Sequence, residues 1–224
     1  MLKTSLLVAG FAVAAASAQA SVFDFDDPAL QDKIVTSVTT SDGLITANLK
    51  VVANKNSQNS DVDEALVFDT ENGADGDPDL QSAFVSDLNP AVTANAGGVL
   101  VIAENDLSNG QLPDDNQNGG SITFEFLKAV DFSGFTIYDD ANITVTSNLG
   151  GSVSANVVGD GKFSTFSFGG PGLNGVTSLT FDFGRASGAI DDIQVSLSQV
   201  PLPAGLPLLL AGLGGFALLR RRAA

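Results

Sequence analysis

Short segments of alternating apolar and polar residues recur along this chain at close spacing. Such alternation predicts β-strands with one buried face, and the Gly, Asn, Asp and Pro clusters between the segments tolerate turn geometries. About eleven strands in one domain predict an all-β fold, a two-sheet antiparallel β-sandwich of the jelly-roll type. The predicted strands are Val22–Phe25, Leu44–Val52, Ala65–Phe68, Val99–Ala103, Ile122–Leu127, Phe132–Tyr138, Ile143–Thr146, Val153–Val158, Phe163–Phe168, Leu179–Phe183 and Ile193–Leu197.

One long polar stretch, from Thr70 to Gly98, interrupts this pattern. It has few β signals and is rich in Asp, Asn and Gly. Loops of this length in a compact domain are usually functional or disordered. We therefore expect a large loop excursion at one end of the sandwich.

The N-terminus has the three parts of a secretory signal peptide. Lys3 supplies the positive charge, Leu6 to Ala16 form the apolar core, and Ala18 and Ala20 make up a small-residue cleavage site. The apolar core is too short for a membrane-spanning helix. We expect the export machinery to remove residues 1–20, which leaves residues 21–199 as one β-domain.

The C-terminus combines a proline motif, an apolar span and a basic stop. The motif is Val200, Pro201, Leu202, Pro203 and Ala204, and Arg220, Arg221 and Arg222 close the span. The uncharged stretch is just long enough for a thin hydrocarbon core, and the arginines favour the cytoplasmic side. Residues 200–224 are therefore predicted to be a transmembrane segment.

This order of parts resembles the PEP-CTERM class of bacterial sorting tails, specifically its VPLPA variant, although Leu202 stands where the class has its name-giving Glu. The resemblance implies that an exosortase-like membrane enzyme cuts near the motif after transient anchoring in the inner membrane. It also implies delivery to the cell surface or extracellular matrix. The alternative is an ordinary C-terminal membrane anchor, and both interpretations export the β-domain.

The predicted β-domain is strongly acidic. It holds all 26 Asp and Glu residues but only six of the ten Lys and Arg residues, so its formal charge is −20. Such a surface repels nucleic acid, which we do not expect as a partner, and attracts cations. The chain has no Cys and no His, which excludes disulfides, the usual zinc sites and nucleophile–His catalysis.

A second set of sequence pieces lies in the first half of the domain. In order, the pieces are Phe68–Thr70, Gly76–Leu80, Val99–Glu104, Pro113–Asn116, Gly119–Gly120 and Ile122–Phe126. Their order resembles a set of exported bacterial β-domains that commonly carry PEP-CTERM-like tails. The resemblance implies a shared fold and does not imply a shared chemistry.

Asp114 to Glu125 fits a calcium-loop pattern in which Gly follows alternating oxygen-bearing residues and Glu closes the loop. Asp114, Asn116 and Asn118 take the alternate positions, with Gly119 and Glu125 where the pattern requires them. Alternate residues of a tight turn aim their oxygens inward, and the Glu binds with both of its oxygens. A strand, not the helix of an EF-hand, follows the loop. The alternative is a solvated hairpin loop with Glu125 on the exposed face.

A second group of acids stands at strand ends that could meet at one rim of the sandwich. Asp75, Asp77 and Asp79 alternate within the long polar stretch, and carboxylates this close repel one another unless a cation or water screens them. We expect a Ca²⁺ ion to tie the excursion to the sheet. The shared site would comprise Asp69, Asp77, Asp79, Glu104 and Asp114, and the alternative is an exposed acidic loop.

The acids near the two ends of the domain form a third candidate site. Jelly-roll folds often bring their first and last strands together, which would place Asp24 and Asp26 beside Asp191 and Asp192. Gly188 to Ile193 resembles the closing strand of many carbohydrate-binding and adhesion sandwiches. That resemblance implies a structural calcium held by acids at this junction. The alternative is acidic edge strands that discourage edge pairing.

These features favour a non-enzymatic, calcium-stiffened protein with a structural or adhesive role, placed within an extracellular polysaccharide layer. The first alternative is a calcium-dependent glycan-binding module, and the second is a glycoside-active enzyme that uses Glu104 and Glu125 as its carboxylate pair. The lack of Trp and the single Tyr138 weaken both alternatives, because sugar sites usually stack rings on aromatic faces.

Overall fold

The computed structural model of the protein describes residues 20–54, 62–71, 77–78, 80–81, 83–104, 107, 112–170 and 172–198. These residues form fourteen β-strands, which confirms the predicted all-β class. Within the same ranges, no helix is long and apolar enough to cross a membrane. Ala18 and the apolar core of the predicted signal peptide, the predicted C-terminal segment and Asp79 lie outside the described residues.

Each segment that was predicted to be a strand overlaps an observed strand. The strands are β1 Ser21–Phe23, β2 Lys33–Val35, β3 Ser37–Thr39, β4 Thr46–Ala53, β5 Ala65–Asp69, β6 Phe84–Ser86, β7 Thr93–Ala94, β8 Gly98–Ile102, β9 Gly120–Tyr138, β10 Asn142–Ser147, β11 Ser152–Asn156, β12 Lys162–Ser167, β13 Val176–Asp182 and β14 Ala189–Leu197. The short strands β2, β3, β6 and β7 were not predicted. Two of them, β6 and β7, lie between Thr70 and Gly98, so the expected loop excursion contains two very short strands.

The longest strand, β9, connects two groups of strands. Its residues 120–126 pair with β4 on one side and with β13 on the other. Its residues 130–138 pair with β12 and β14. The segments predicted separately around Ile122 and Phe132 are therefore one continuous strand. Hydrogen bonds link all fourteen strands, and the longest path runs β11-β10-β13-β9-β14-β8-β5-β2. The pair of β6 and β12 is parallel.

Phenylalanines at alternate strand positions form the main core. The ring centroid of Phe181 on β13 lies 5.3 Å from that of Phe124 and 5.2 Å from that of Phe135. Phe124 and Phe135 belong to the two different halves of β9, and all three rings are fully buried. Because Phe181 stands beside the first half, these contacts bring the two halves of β9 onto one core. Each ring buried this way stabilises the fold by about 1.5–3 kcal/mol.

A second apolar cluster holds the long excursion against the sheet. Leu80 and Phe84 from the excursion pack with Phe68 of β5 and with Tyr138, and all four are buried. Phe68 alternates with Val67, which belongs to the main core, so this cluster covers the opposite face of β5. The excursion is therefore anchored by apolar burial, which places its acids next to the sheet.

Candidate metal centre

Three carboxylates meet beside the end of β8. Asp77, Asp114 and Asp115 each offer an oxygen, and these oxygens lie within 4.8 Å of one another. Asp77 and Asp115 are each only 4% exposed, and Asp114 is half-buried. We call these three residues the carboxylate triad. Among the described residues it is the one group of three acidic side chains that converges so closely.

Backbone hydrogen bonds fix two members of the triad against the sheet. The segment that contains them forms an antiparallel bridge between Asp115 and Ala103, just beyond β8. The Glu104 N–H donates to the Asp114 carbonyl at 3.1 Å, and the Asn116 N–H donates to the Ile102 carbonyl at 2.8 Å. Asp77 arrives from the excursion, so the triad joins two parts of the chain that are distant in sequence.

Asp115 is the most strongly perturbed member of the triad. Burial raises its pKa to about 7, and the charges of Asp114 and Asp139 act in the same direction. The Gly188 N–H opposes this by donating to Asp115 Oδ2 at 2.6 Å, and a hydrogen bond with Asp77 also lowers the pKa. A cation at the triad would favour the charged form of Asp115.

Asp115 was not among the predicted ligands. The calcium-loop pattern takes alternate positions from Asp114 onward and therefore passes over its neighbour. Asp115 reaches the triad because the segment pairs with Ala103 instead of wrapping as a calcium loop. The sequence signal that could have indicated Asp115 as a ligand is its position directly after Asp114.

The remaining residues of the predicted calcium loop build a turn. Asn116 Oδ1 accepts a hydrogen bond from the Asn118 N–H at 2.8 Å. Gly119 has a φ of 65°, and a Cβ there would collide with the carbonyls of Gly184 and Ala186. Gly119 is therefore required by this turn.

Glu125 does not close the predicted loop. It lies in the interior of β9, and its Oε1 forms an ion pair with Lys50 Nζ at 2.5 Å. Strands rise by about 3.3 Å per residue, which carries Glu125 well away from the turn at Gly119. The prediction that Asp114 and Glu125 bind one ion in a calcium loop is corrected by this placement.

The acids of the predicted shared site do not all lie at one end of the sheet. Asp69 pairs with Gly98 at the start of β8, whereas Glu104 follows the end of that strand. The two acids are thus separated by roughly 20 Å along the strand direction, at about 3.3 Å per residue. Asp77 and Asp114 meet near the Glu104 end, and Asp69 does not join them. Both Asp69 and Glu104 are buried.

The first and last strands pair, as the third candidate site required. β1 runs antiparallel to β14, with Phe23 opposite Ile193, so Asp24 and Asp26 follow β1 close to Asp191 and Asp192. Burial raises the pKa of Asp191 well above its ordinary value, and the charges of Asp192, Asp26 and Asp24 add to this effect. Burial also raises the pKa of Asp192, as does the charge of Asp24. Among the described residues, no Lys or Arg forms an ion pair with any of these four acids.

The fold and these sites define an acidic all-β protein with two separate carboxylate clusters. Carboxylate oxygens are the ligands that hard cations such as Ca²⁺ prefer. No protein-family model matches the chain, and no curated protein matches it.

Proposed function

We propose that this chain is an exported structural or adhesive β-domain that Ca²⁺ stabilises at the carboxylate triad. The observation that carries the proposal is the convergence of the oxygens of Asp77, Asp114 and Asp115 within 4.8 Å. Like charges at this separation repel strongly when they are partly removed from water. A divalent cation between the carboxylates attracts each of them, and this attraction outweighs the repulsion.

The charge of the domain favours the same conclusion. Residues 21–199 carry a formal charge of −20, and between described residues there is one ion pair, Lys50 with Glu125. With six basic residues against 26 acidic ones, basic side chains cannot neutralise the domain. Ca²⁺ takes six to eight oxygen ligands in flexible geometry, so backbone carbonyls or water would complete a site that begins with three carboxylates.

An ion at the triad would join three parts of the fold. Asp77 belongs to the excursion, and Asp114 and Asp115 belong to the segment that bridges to Ala103. Asp115 also accepts the hydrogen bond from Gly188, directly before β14. Ca²⁺ would thus stiffen the excursion against the sheet, which suits a domain that must stay folded outside the cell.

We also propose that the strands form a two-layer sandwich of the jelly-roll type. The support is the division of β9 between two sets of neighbours and the contacts of Phe181 with rings from both halves of that strand. A bent strand shared between two layers is a common way to turn the corner of a sandwich.

The proposed localisation rests on the two ends of the chain. β1 begins at Ser21, directly after the predicted cleavage position at Ala20, and β14 ends at Leu197, shortly before Val200. The folded domain therefore fits between the two predicted processing signals. The export machinery would remove residues 1–20, and an exosortase-like enzyme would act near residues 200–204 after transient membrane anchoring. The mature domain would reside at the cell surface or in a polysaccharide-rich matrix.

A structural role is favoured over glycan binding or hydrolysis by the aromatic residues. Tyr138 is only 4% exposed, and its ring packs on Phe84 and Phe163. No Phe is among the large exposed apolar side chains of the described residues. Among the described residues, Phe163, Phe166 and Phe168 are half-buried and every other aromatic side chain is buried, so none stands fully exposed for sugar stacking.

Calcium titration of the purified protein tests this proposal. We expect saturable Ca²⁺ binding that raises the melting temperature beyond an ionic-strength-matched sodium control, because sodium only screens charge. Binding to the native state alone contributes about 2.7 kcal/mol at a hundredfold excess over Kd, or roughly 5–11 °C for a domain of this size. Asp77→Asn and Asp114→Asn should each reduce the difference. Asp160→Asn, exposed in a turn, is the matched control. Identical melting in calcium and matched sodium would refute the calcium-stabilised triad.

A further inference from the structure

The strand β14 changes partners at a pair of acids. Ile190 pairs with Leu100 of β8, whereas Ile193 pairs with Phe23 of β1, so Asp191 and Asp192 lie where one neighbour replaces the other. The chain that follows β1 crosses the start of β8 here. A Cβ on Gly98 would collide with the Phe25 carbonyl, and only glycine permits so close an approach.

A β-bulge at Asp192 brings this residue to the same face of β14 as Asp191. The register of β14 against β9 shifts between Asp191 and Gln194, and Asp192 has a left-handed φ of 50°. Asp191 is opposite Thr136, and the Oγ1 of Thr136 lies 3.4 Å from Asp192 Oδ2. Bulges of this kind re-aim side chains. Both carboxylates therefore lie on the Thr136 side of the strand.

Asp24 and Asp26 approach the same place from β1. The Gly98 N–H donates to Asp26 Oδ1 at 2.9 Å, and the Asp26 N–H donates to Asp24 Oδ1 at 2.8 Å. These bonds hold both side chains at the junction. The charges of Asp24 and Asp26 are close enough to raise the pKa of Asp191, after the larger effect of burial and that of Asp192.

Asp191 is the feature that points to a ligand. It is only 4% exposed, and its Oδ1 has no hydrogen-bond partner. No described basic side chain forms an ion pair with any of the four acids. A buried polar oxygen without a partner is costly, and a buried charge more so. A proton on Asp191 would neutralise that residue alone, whereas a divalent cation would cancel two charges and attract all four carboxylates.

We propose that a divalent cation of the Ca²⁺ type binds at this strand junction, with Asp191 as the buried ligand and Asp24, Asp26 and Asp192 around it. These carboxylates converge less closely than the triad, and an ion 2.3–2.6 Å from each ligand oxygen would draw them together. The site shares no residue with the triad and does not depend on it. Its ion fastens β1 and the start of β8 to β14, so it locks the two ends of the domain to each other.

The chain contains a built-in optical probe for this site. Tyr138 is the single tyrosine, and there is no Trp. Burial raises the pKa of the Tyr138 hydroxyl, and the charges of Asp191, Asp192 and Asp26 add to this effect, so the hydroxyl lies near the junction. Tb³⁺ substitutes for Ca²⁺ at oxygen-rich sites and emits when a nearby tyrosine is excited.

The experiment uses the full chain with Asp77→Asn, which disables the triad. We expect saturable tyrosine-sensitised Tb³⁺ emission that excess Ca²⁺ displaces. Adding Asp191→Asn should weaken Tb³⁺ binding at least tenfold, whereas adding Asp160→Asn should not change it. If circular dichroism shows that the Asp191 variant is misfolded, Asp24→Asn with Asp26→Asn replaces it, with the same expected loss. Emission that is absent with Asp77→Asn alone, or that persists undiminished in the folded junction variant, overturns the proposal. Neither result bears on Ca²⁺ binding by the triad.

Discussion

Replacing Asp115 by Asn should make the protein more stable in a chelator at high pH and less responsive to Ca²⁺. Burial raises the pKa of Asp115 from its ordinary 3.8 to about 7. A carboxyl group with a raised pKa binds more protons in the folded state, so stability falls as pH rises between these two values and stays low above the upper one. Each pH unit of difference corresponds to about 1.4 kcal/mol, which makes the full loss about 4 kcal/mol.

Asparagine removes this loss because its amide is neutral at every pH. Its Oδ1 can still accept the hydrogen bond from the Gly188 N–H. At pH 8 in a chelator we therefore expect Asp115→Asn to melt higher than the native protein by up to roughly 8–16 °C. At pH 4 the two proteins should melt within a few degrees of each other. In excess Ca²⁺ the native protein should recover most of the difference, because the ion favours the charged carboxylate.

The assay is thermal unfolding followed by circular dichroism from pH 4 to pH 8, with and without Ca²⁺. The difference between variant and native protein is the quantity to follow, since the other carboxylates titrate alike in both. Parallel pH profiles in the chelator would show that burial does not raise the pKa of Asp115. An undiminished calcium response in the variant would show that Asp115 is not a ligand.

Three further predictions concern other parts of the molecule. If the proline motif is a processing signal, the intact mass of the mature external protein should correspond to a chain without Leu206–Ala224. A mass that includes the full tail after signal-peptide removal would mean a plain membrane anchor. Asp42→Ala should lose about 1 kcal/mol at pH 7 by urea unfolding, because Asp42 accepts hydrogen bonds from the Ser21 and Thr40 hydroxyls, each at 2.6 Å. These bonds lower the pKa of Asp42 below its ordinary 3.8, so its contribution is present at neutral pH and should be lost as the pH falls through that lowered pKa. The purified protein should show no turnover on bacterial and algal polysaccharides; activity that Glu104→Gln or Glu125→Gln abolishes would overturn the non-enzymatic proposal, and saturable binding without turnover would favour the glycan-binding alternative.

The strands could be predicted because their signal is local. Side chains of a strand alternate between two faces, so burial of one face writes a period of two into the sequence. Phe181 and Phe124 follow that period and are buried in the main core. The strands β6 and β7 escaped prediction because they are very short, and the parallel pairing of β6 with β12 is a long-range contact that leaves no periodic trace.

The candidate sites could be predicted only in part, because a spacing pattern does not specify which end of a sheet a residue reaches. Asp69 and Glu104 both flank strands, yet antiparallel pairing of β5 and β8 places them at opposite ends. Glu125 has the spacing of a calcium ligand, but the register of β4 against β9 supplies Lys50 as its partner.

By itself, the sequence determined the all-β class and the acidity of the domain, because strand periodicity and charge are properties of residue order and composition. It also predicted that Asp24 and Asp191 lie close together, since these acids flank the first and last strands of the pattern. Only the tertiary structure decided which carboxylates converge. Asp77 reaches Asp115 because Leu80 and Phe84 bury the excursion against β5, and Asp192 joins buried Asp191 beside Thr136 because a bulge follows Asp191 in β14. Packing and strand register depend on contacts between residues that are distant in sequence, so no local spacing pattern specifies them.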